Sequence, residues 1–247
     1  MEPTVIYENT DFIVLAKPAG LPVHAGGSVK KGEALVDWLI KKYPEIKKVG
    51  DEPSIRPGIV HRLDKETSGV MVVARNQESF SGLKRLFQTR QVTKKYLALV
   101  KGQVAGKRGA IELPIGTLKS HGVKRTVHAR HAKAMKEAFT EFSVLERFSD
   151  ATLVEVTPKT GRMHQIRVHF ASIGHPVLGD RLYGGTLSVP KGHAGRGGKA
   201  TIQAGLQRQF LHARSLSFSY PEGRRFTFEA SLPDYLKTFL KELRRKK

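Results

Sequence analysis

The chain has 247 residues, 39% of them hydrophobic, enough to bury a sizeable core in one large domain or two small ones. It contains no cysteine, which excludes disulfides, thiolate metal sites and a thiol nucleophile, and no stretch approaches the roughly 20 apolar residues that span a bilayer. Lysine and arginine number 43 against 22 aspartates and glutamates, a formal net charge of +21 spread along the whole chain, and such an excess repels itself unless a polyanion such as RNA, DNA or an anionic membrane is near.

In chain order, Val5 to Tyr7 and Phe12 to Leu15 read as two short strands around an Asn9-Thr10-Asp11 turn. Pro18, Gly20, Pro22, Gly26 and Gly27 mark a loop. Leu35, Leu39 and Tyr43, with Trp38 beside them, give one apolar helical face that stops at Pro44. Val70 to Ala74 is an apolar run of buried-strand type, and Asn76 can cap a following helix whose face is Phe80, Leu83, Leu86 and Phe87. Val92 to Val100 reads as a strand with Tyr96, Ala98 and Val100 on one side. Phe139 to Phe148 and Thr152 to Val156, joined by Ser149-Asp150, read as a hairpin.

Ile166, Phe170 and Ile173 have helical spacing toward a core, with Gly174 and Pro176 as the stop, so His164, Arg167 and Val168 share a neighbouring face. Gly192 to Lys199 is expected to be a mobile loop. Leu211 to Tyr220 and Arg224 to Ala230 form a second hairpin around Pro221-Glu222-Gly223, and a last helix from near Pro233 buries Leu236, Phe239, Leu240 and Leu243. Adjacent strands outnumber helices, so the expected class is α+β, a largely antiparallel mixed sheet with flanking helices.

Two segments carry candidate chemistry. Gly58 to Gly69 packs His61, Arg62, Asp64, Lys65, Glu66, Thr67 and Ser68 into a loop between a Pro/Gly break and a buried strand. Catalytic groups are usually placed on such scaffolded polar loops, although by residue type alone the stretch reads equally as a solvated turn. Thr160 to His169 sets Arg162 and Arg167 at the start of a helix, where ordinary surface cations are the plainer reading.

His61-Arg62-Leu63-Asp64-Lys65-Glu66-Thr67-Ser68-Gly69 resembles the signature of the RluA-type pseudouridine synthases. Thr160 to His169 resembles their second motif, Lys95-Tyr96-Leu97-Ala98 their tyrosine strand, Leu211-His212-Ala213 a late motif bearing a pocket leucine, and Asp11 to Pro18 their opening strand and turn. The motifs occur in order from about Asp11 to about Pro233. Met163 stands where the family usually has Thr or Ser, so a supporting hydrogen bond is expected to be lost. The resemblance begins by Asp11, leaving no room before it for the small RNA-binding domain of many relatives; a single catalytic domain over residues 1–247 is expected.

The resemblance implies an isomerase that breaks the N-glycosidic bond of a uridine in structured RNA, turns the uracil and rejoins it through carbon 5, without redox change and so without a cofactor. It makes Asp64 the essential carboxylate, acting either by covalent attack or by removing a ribose proton. It makes Arg167 the guanidinium that steadies that carboxylate, Tyr96 the stacking and proton-accepting aromatic, and Leu211 the apolar floor under the base. As strand residues alone, Tyr96 and Leu211 read equally as core. Arg62 is expected near the flipped nucleotide, with His61, Lys65 and Arg162 as further substrate contacts. Lys119, Lys124, Arg125, Arg130 and Lys133 form a basic stretch suited to the RNA backbone.

His164 and His169 lie on different helical faces, and His121, His128 and His131 sit among cations, so no metal is expected. The expected partner is RNA, ribosomal slightly ahead of transfer RNA, engaged by a cytoplasmic monomer with no membrane attachment. The alternatives are a non-catalytic RNA-binding or ribosome-assembly factor on the same fold and, more distantly, a peripheral membrane protein attached through Leu236 to Lys247.

Overall fold

The fold is that of a computed structural model, which describes residues 2–25, 32–120, 124–184, 206–221 and 223–245. The glycine-rich segment 192–199 read as a mobile loop lies outside the described residues, as do Gly26, Gly27, His121 and Glu222. Where the sequence reading has one domain, the chain divides into two compact units: residues 1–96 with 212–233, and residues 97–211 with 234–247. The architecture is α+β, with strands paired mostly antiparallel.

The first unit begins with β1 (Thr4–Glu8) and β2 (Phe12–Lys17), an antiparallel pair whose turn is closed by Asn9: its Oδ1 accepts the N–H groups of Asp11 and Phe12. Strand β2 pairs antiparallel with β3 (Ser68–Ala74), in register from Phe12 opposite Ala74 to Lys17 opposite Gly69. Every residue of β3 is buried, in keeping with its apolar run from Val70 to Ala74. On its other edge β3 pairs in parallel with β11 (Leu211–Ser219), His212 opposite Ser68 and Ala213 opposite Gly69. Strand β12 (Arg225–Glu229) returns antiparallel along β11.

Two helices complete this unit. Helix α1 (Leu35–Lys42) buries Leu35, Val36 and Leu39 and ends in a 3-10 turn that opens at Pro44. Helix α2 (Gln77–Gln88) starts where the Asn76 side chain accepts the Ser79 N–H at 2.8 Å, and it buries Phe80, Leu83 and Leu86. An aromatic cluster of Tyr7, Phe12, Phe218, Phe226 and Phe228 closes the core on the β12 side, with Phe12 edge-on to Phe226 at 5.3 Å.

The second unit takes β4 (Thr93–Lys101) from Leu97 onward, beside β10 (Ala151–Pro158). Strand β10 pairs antiparallel with β9 (Phe139–Arg147), with a bulge at Leu153/Val154, and β9 pairs with β5 (Arg108–Glu112). A small separate sheet sets β6 (Ile115–Leu118) between β7 (Arg125–Thr126) and β8 (Ala132–Lys136). Helix α3 (Gln165–Ser172) and helix α4 (Asp234–Arg245) pack here; α4 buries Leu236, Phe239, Leu240 and Leu243, as its sequence pattern requires. No described helix is long and apolar enough to cross a membrane.

Ile173, assigned from its spacing to the core, is 38% exposed, because α3 ends at Ser172 and residue 173 only caps it. His164 lies just before the helix with a left-handed backbone, φ 57°, so it does not continue the helical face expected for it.

Candidate active site

The segment His61 to Gly69 is held by its backbone rather than by its polar side chains. The Thr67 N–H donates to the Asp64 carbonyl at 3.1 Å and closes a tight turn over residues 64–67. The carbonyl of Lys65, inside that turn, accepts from the Gly20 N–H at 2.8 Å and from the Lys17 ammonium at 3.1 Å. Lys17 is 1% exposed, and its Nζ also donates to the carbonyls of Pro18 at 2.9 Å and Leu21 at 2.8 Å. A charge at that depth is tolerated only with its donors engaged. This buried ammonium thus ties the Pro18 to Leu21 loop to the turn that carries Asp64.

The turn is anchored again at its C-terminal end. Ser68 Oγ lies 2.9 Å from His212 Nδ1, and His212 Nε2 lies 2.9 Å from the Ala230 carbonyl, a tautomer with Nε2–H and an accepting Nδ1. Burial pushes this imidazole's pKa below the usual histidine range. At Gly69 the backbone of β11 approaches so closely that a Cβ would lie 2.2 Å from the Ala213 carbonyl oxygen, and φ is +123°, so only glycine fits. Asp64 therefore projects, half-buried, from a turn fixed at both ends.

Tyr96 stands half-buried on β4 and feels that carboxylate. Burial first, and the Asp64 charge second, push its phenol well above the ordinary tyrosine range, so it keeps its proton. Asp64 and Tyr96, both named from the family resemblance, are near enough for the carboxylate charge to act on the phenol. Arg62 is exposed, and its Nη1 donates to His24 Nε2 at 3.0 Å. The Lys65 side chain is exposed; its fixed part is its carbonyl.

His61, read from sequence as a substrate contact, has an internal role in the structure. Its ring stacks on Phe87 at 4.5 Å and 18°, and Nε2 accepts the Val72 N–H at 3.0 Å. Burial, with a smaller contribution from the Lys94 charge, pushes its pKa down to about 3, so the ring is neutral.

In the second unit, Arg167 is 9% exposed and its guanidinium is gripped by Asp180: Nε donates to Oδ2 at 2.7 Å and Nη2 to Oδ1 at 3.0 Å. Asp180 is 1% exposed, and its Oδ1 also accepts the N–H groups of Leu182 at 2.9 Å and Tyr183 at 3.3 Å. The Tyr183 ring lies 5.2 Å from the Arg167 guanidinium, and its hydroxyl lies 2.9 Å from His164 Nδ1 while accepting the Arg125 N–H at 2.8 Å. Arg167 is thus a positioned buried cation rather than a surface one. Sequence reasoning missed Asp180 and Tyr183, which follow Gly179 in an irregular stretch without periodicity.

Gln165 was also missed. It is 4% exposed and satisfies all of its amide's polar capacity, donating to the Phe139 carbonyl and Thr140 Oγ1 and accepting from Thr160 Oγ1 and the Arg162 N–H. It pins the Thr160 to His169 motif to β9. Arg162 Nε donates to the Glu137 carbonyl at 2.9 Å. Met163 does not leave a gap where a hydroxyl is usual: its sulfur accepts from Arg125 Nη2 at 2.9 Å. Leu211 is 4% exposed at the start of β11. Among the described residues no group of three or more histidine, cysteine, aspartate or glutamate side chains has metal-binding geometry.

Known proteins resemble this chain in sequence and fold. The family model for RNA pseudouridylate synthase matches residues 11–172. An uncharacterized RNA pseudouridine synthase of Aquifex aeolicus is 44% identical over 238 residues, 95% of this chain and 71% of that protein. The ribosomal large subunit pseudouridine synthase D of Vibrio parahaemolyticus is 38% identical over 98% of this chain and 70% of its own. The solved human RNA pseudouridylate synthase domain containing 4 superposes with a TM-score of 0.72 at 28% identity, covering 98% of this chain and 93% of that one. Human domain-containing protein 1 of the same name does so at 0.68 and 28%, covering 94% and 84%. The chain belongs to the RNA pseudouridylate synthase family, in its RluA-type branch, and is an isomerase that converts uridine in RNA to pseudouridine.

Proposed function

We propose that this enzyme isomerises uridine in large-subunit ribosomal RNA, with Asp64 as its essential carboxylate. The observation that carries the reading is the placement of Asp64 on a backbone-locked turn, within electrostatic reach of a phenol that stays protonated. Relatives named for the ribosomal large subunit, and a formal charge of +21, support a ribosomal target. A cytoplasmic location, where that RNA is made and assembled, follows from the same reading.

In this mechanism the uridine leaves its stack, at a cost of a few kcal/mol, and Arg62 fills part of the space through its planar guanidinium. Asp64 acts on the ribose or the base, by covalent attack or by taking a ribose proton. The family resemblance gives Arg167, whose guanidinium is fixed by Asp180, the part of steadying the Asp64 carboxylate. Leu211 supports the released uracil as it turns, and Tyr96 stacks on it and mediates proton transfer at carbon 5.

The test is the Asp64→Asn substitution, which keeps the shape and removes the charge. Pseudouridine formation in an unmodified large-subunit transcript should disappear while RNA affinity stays within a few fold. Wild-type turnover in that variant overturns the reading. Mapping pseudouridine in ribosomal and transfer RNA from cells lacking the protein tests the target; a loss confined to transfer RNA would reassign it.

A further inference from the structure

Resting on the reading that the target nucleotide is held at Asp64 and Tyr96, we infer that Lys94 binds a backbone phosphate of the RNA at that nucleotide. Lys94 stands two residues before Tyr96 on β4, where exposed positions alternate with half-buried ones: Thr93 and Lys95 face solvent, and Lys94 and Tyr96 share the inward face. Two steps along a strand place their side chains about 7 Å apart, the scale that separates a nucleobase from its own phosphate. The Lys94 charge also acts on His61, three residues before Asp64 in the chain.

Two features point to an anionic partner from outside the protein. The Lys94 side chain is half-buried, yet among the described residues it makes no ion pair or hydrogen bond, while Lys17 in the same unit has its ammonium fully engaged. A partly desolvated ammonium without a partner is unfavourable in the free protein and gains when an anion arrives. Its neighbour His61 is neutral, so the pair presents a single positive charge. Burial holds the Lys94 ammonium below the ordinary lysine range, which is what an incompletely compensated cation shows. In RNA the group that matches a compact three-donor cation is a phosphate oxygen.

The experiment measures kcat and KM of the full chain on an unmodified large-subunit ribosomal RNA transcript across a range of salt concentrations. Lys94→Met should lower kcat/KM by roughly 10- to 100-fold at unchanged Tm. It should also reduce the slope of log kcat/KM against log salt by about 0.7, the loss of one phosphate contact. Lys94→Arg, which keeps the charge, should return kcat/KM to within a few fold of wild type and restore the slope. The inference is overturned by unchanged kcat/KM in Lys94→Met, by a loss without change in slope, or by an Arg variant no better than Met. Should Lys94→Met fail to fold, Lys94→Gln is read in the same way. Asp64→Asn, run in parallel, separates the two ideas: if it is inactive while Lys94→Met behaves as wild type, only the Lys94 assignment fails.

Discussion

Arg167 and Asp180 form a buried two-pronged ion pair, with Nε to Oδ2 at 2.7 Å and Nη2 to Oδ1 at 3.0 Å. One carboxylate thus sets the plane and rotation of the guanidinium assigned to Asp64. The Asp180→Asn variant keeps the volume and loses the charge. Its kcat is expected to fall by about 10²-fold, since a misplacement near 1 Å costs that much. KM for RNA should change little. Asp180→Ala, which strands a buried cation, should also destabilise the fold by about 3–5 kcal/mol in urea unfolding. Wild-type kcat in Asp180→Asn would show that Arg167 holds its position without this partner.

The Lys17 ammonium joins three carbonyls, one of them in the turn that presents Asp64. Lys17→Met fills the space but offers no donor. Each buried carbonyl left unpaired costs about 1–3 kcal/mol, so urea unfolding should show a loss of roughly 3 kcal/mol or more. In the fraction that remains folded, kcat should fall further than KM rises, because the Asp64 turn loosens while the RNA-binding surface persists.

Tyr96→Phe retains the ring and removes the proton-bearing oxygen. The expected outcome is normal RNA affinity with kcat lowered by about 10²–10⁴-fold, the usual range for a lost proton-transfer group. The reaction should stall before completion, as released base or as an RNA–protein adduct visible on a denaturing gel. An unchanged yield of pseudouridine would remove the proton-transfer role.

His61 makes stability fall with acid. Its folded-state pKa is depressed to about 3 from an ordinary 6.5, so the unfolded chain takes the proton first as pH drops. The stabilisation is complete above pH 6.5 and is lost progressively down to about pH 3, at up to about 1.4 kcal/mol per pH unit. The stability difference between wild type and His61→Gln, followed by urea unfolding, should therefore narrow as pH falls through that window. A constant difference would mean that the ring is not held neutral.

Gly69→Ala is expected to be among the most damaging single changes in the first unit. Its Cβ would meet the Ala213 carbonyl oxygen at 2.2 Å and the Ala213 nitrogen at 2.6 Å, both backbone atoms of the paired strand. A loss above about 4 kcal/mol, or failure to recover soluble protein, is expected. A Tm close to wild type would show that β11 can shift away from β3.

Much of the first unit was legible because its strands are apolar and its turns carry decisive residues. Val70 to Ala74, the Asn76 cap and the β11–β12 return all follow from residue type and period. Strands β5 to β8 were not read, because residues 108–136 are short, cationic and largely exposed, without a steady alternation. The Asp64 and Tyr96 assignments came from motif resemblance; no period in the sequence marks them. Asp180, Gln165 and Lys17 escaped because a polar side chain buried by hydrogen bonds looks, in sequence, like any surface residue. His61, three residues before Asp64, reads as a substrate contact because its ring is titratable, but its Nε2 accepts a backbone N–H.

The chain leaves the first unit at residue 96 and re-enters it at residue 212, and this has a consequence for biosynthesis. Ser68 meets His212 at a sequence separation of 144. At roughly 5–20 residues per second, translation keeps β3 waiting about 7–30 s for its parallel neighbour. Over that interval a fully buried, mostly apolar strand has an unpaired edge, the kind of surface that recruits chaperones or mispairs with another nascent chain. The turn holding Asp64 gains its last anchor only when β11 clears the exit tunnel.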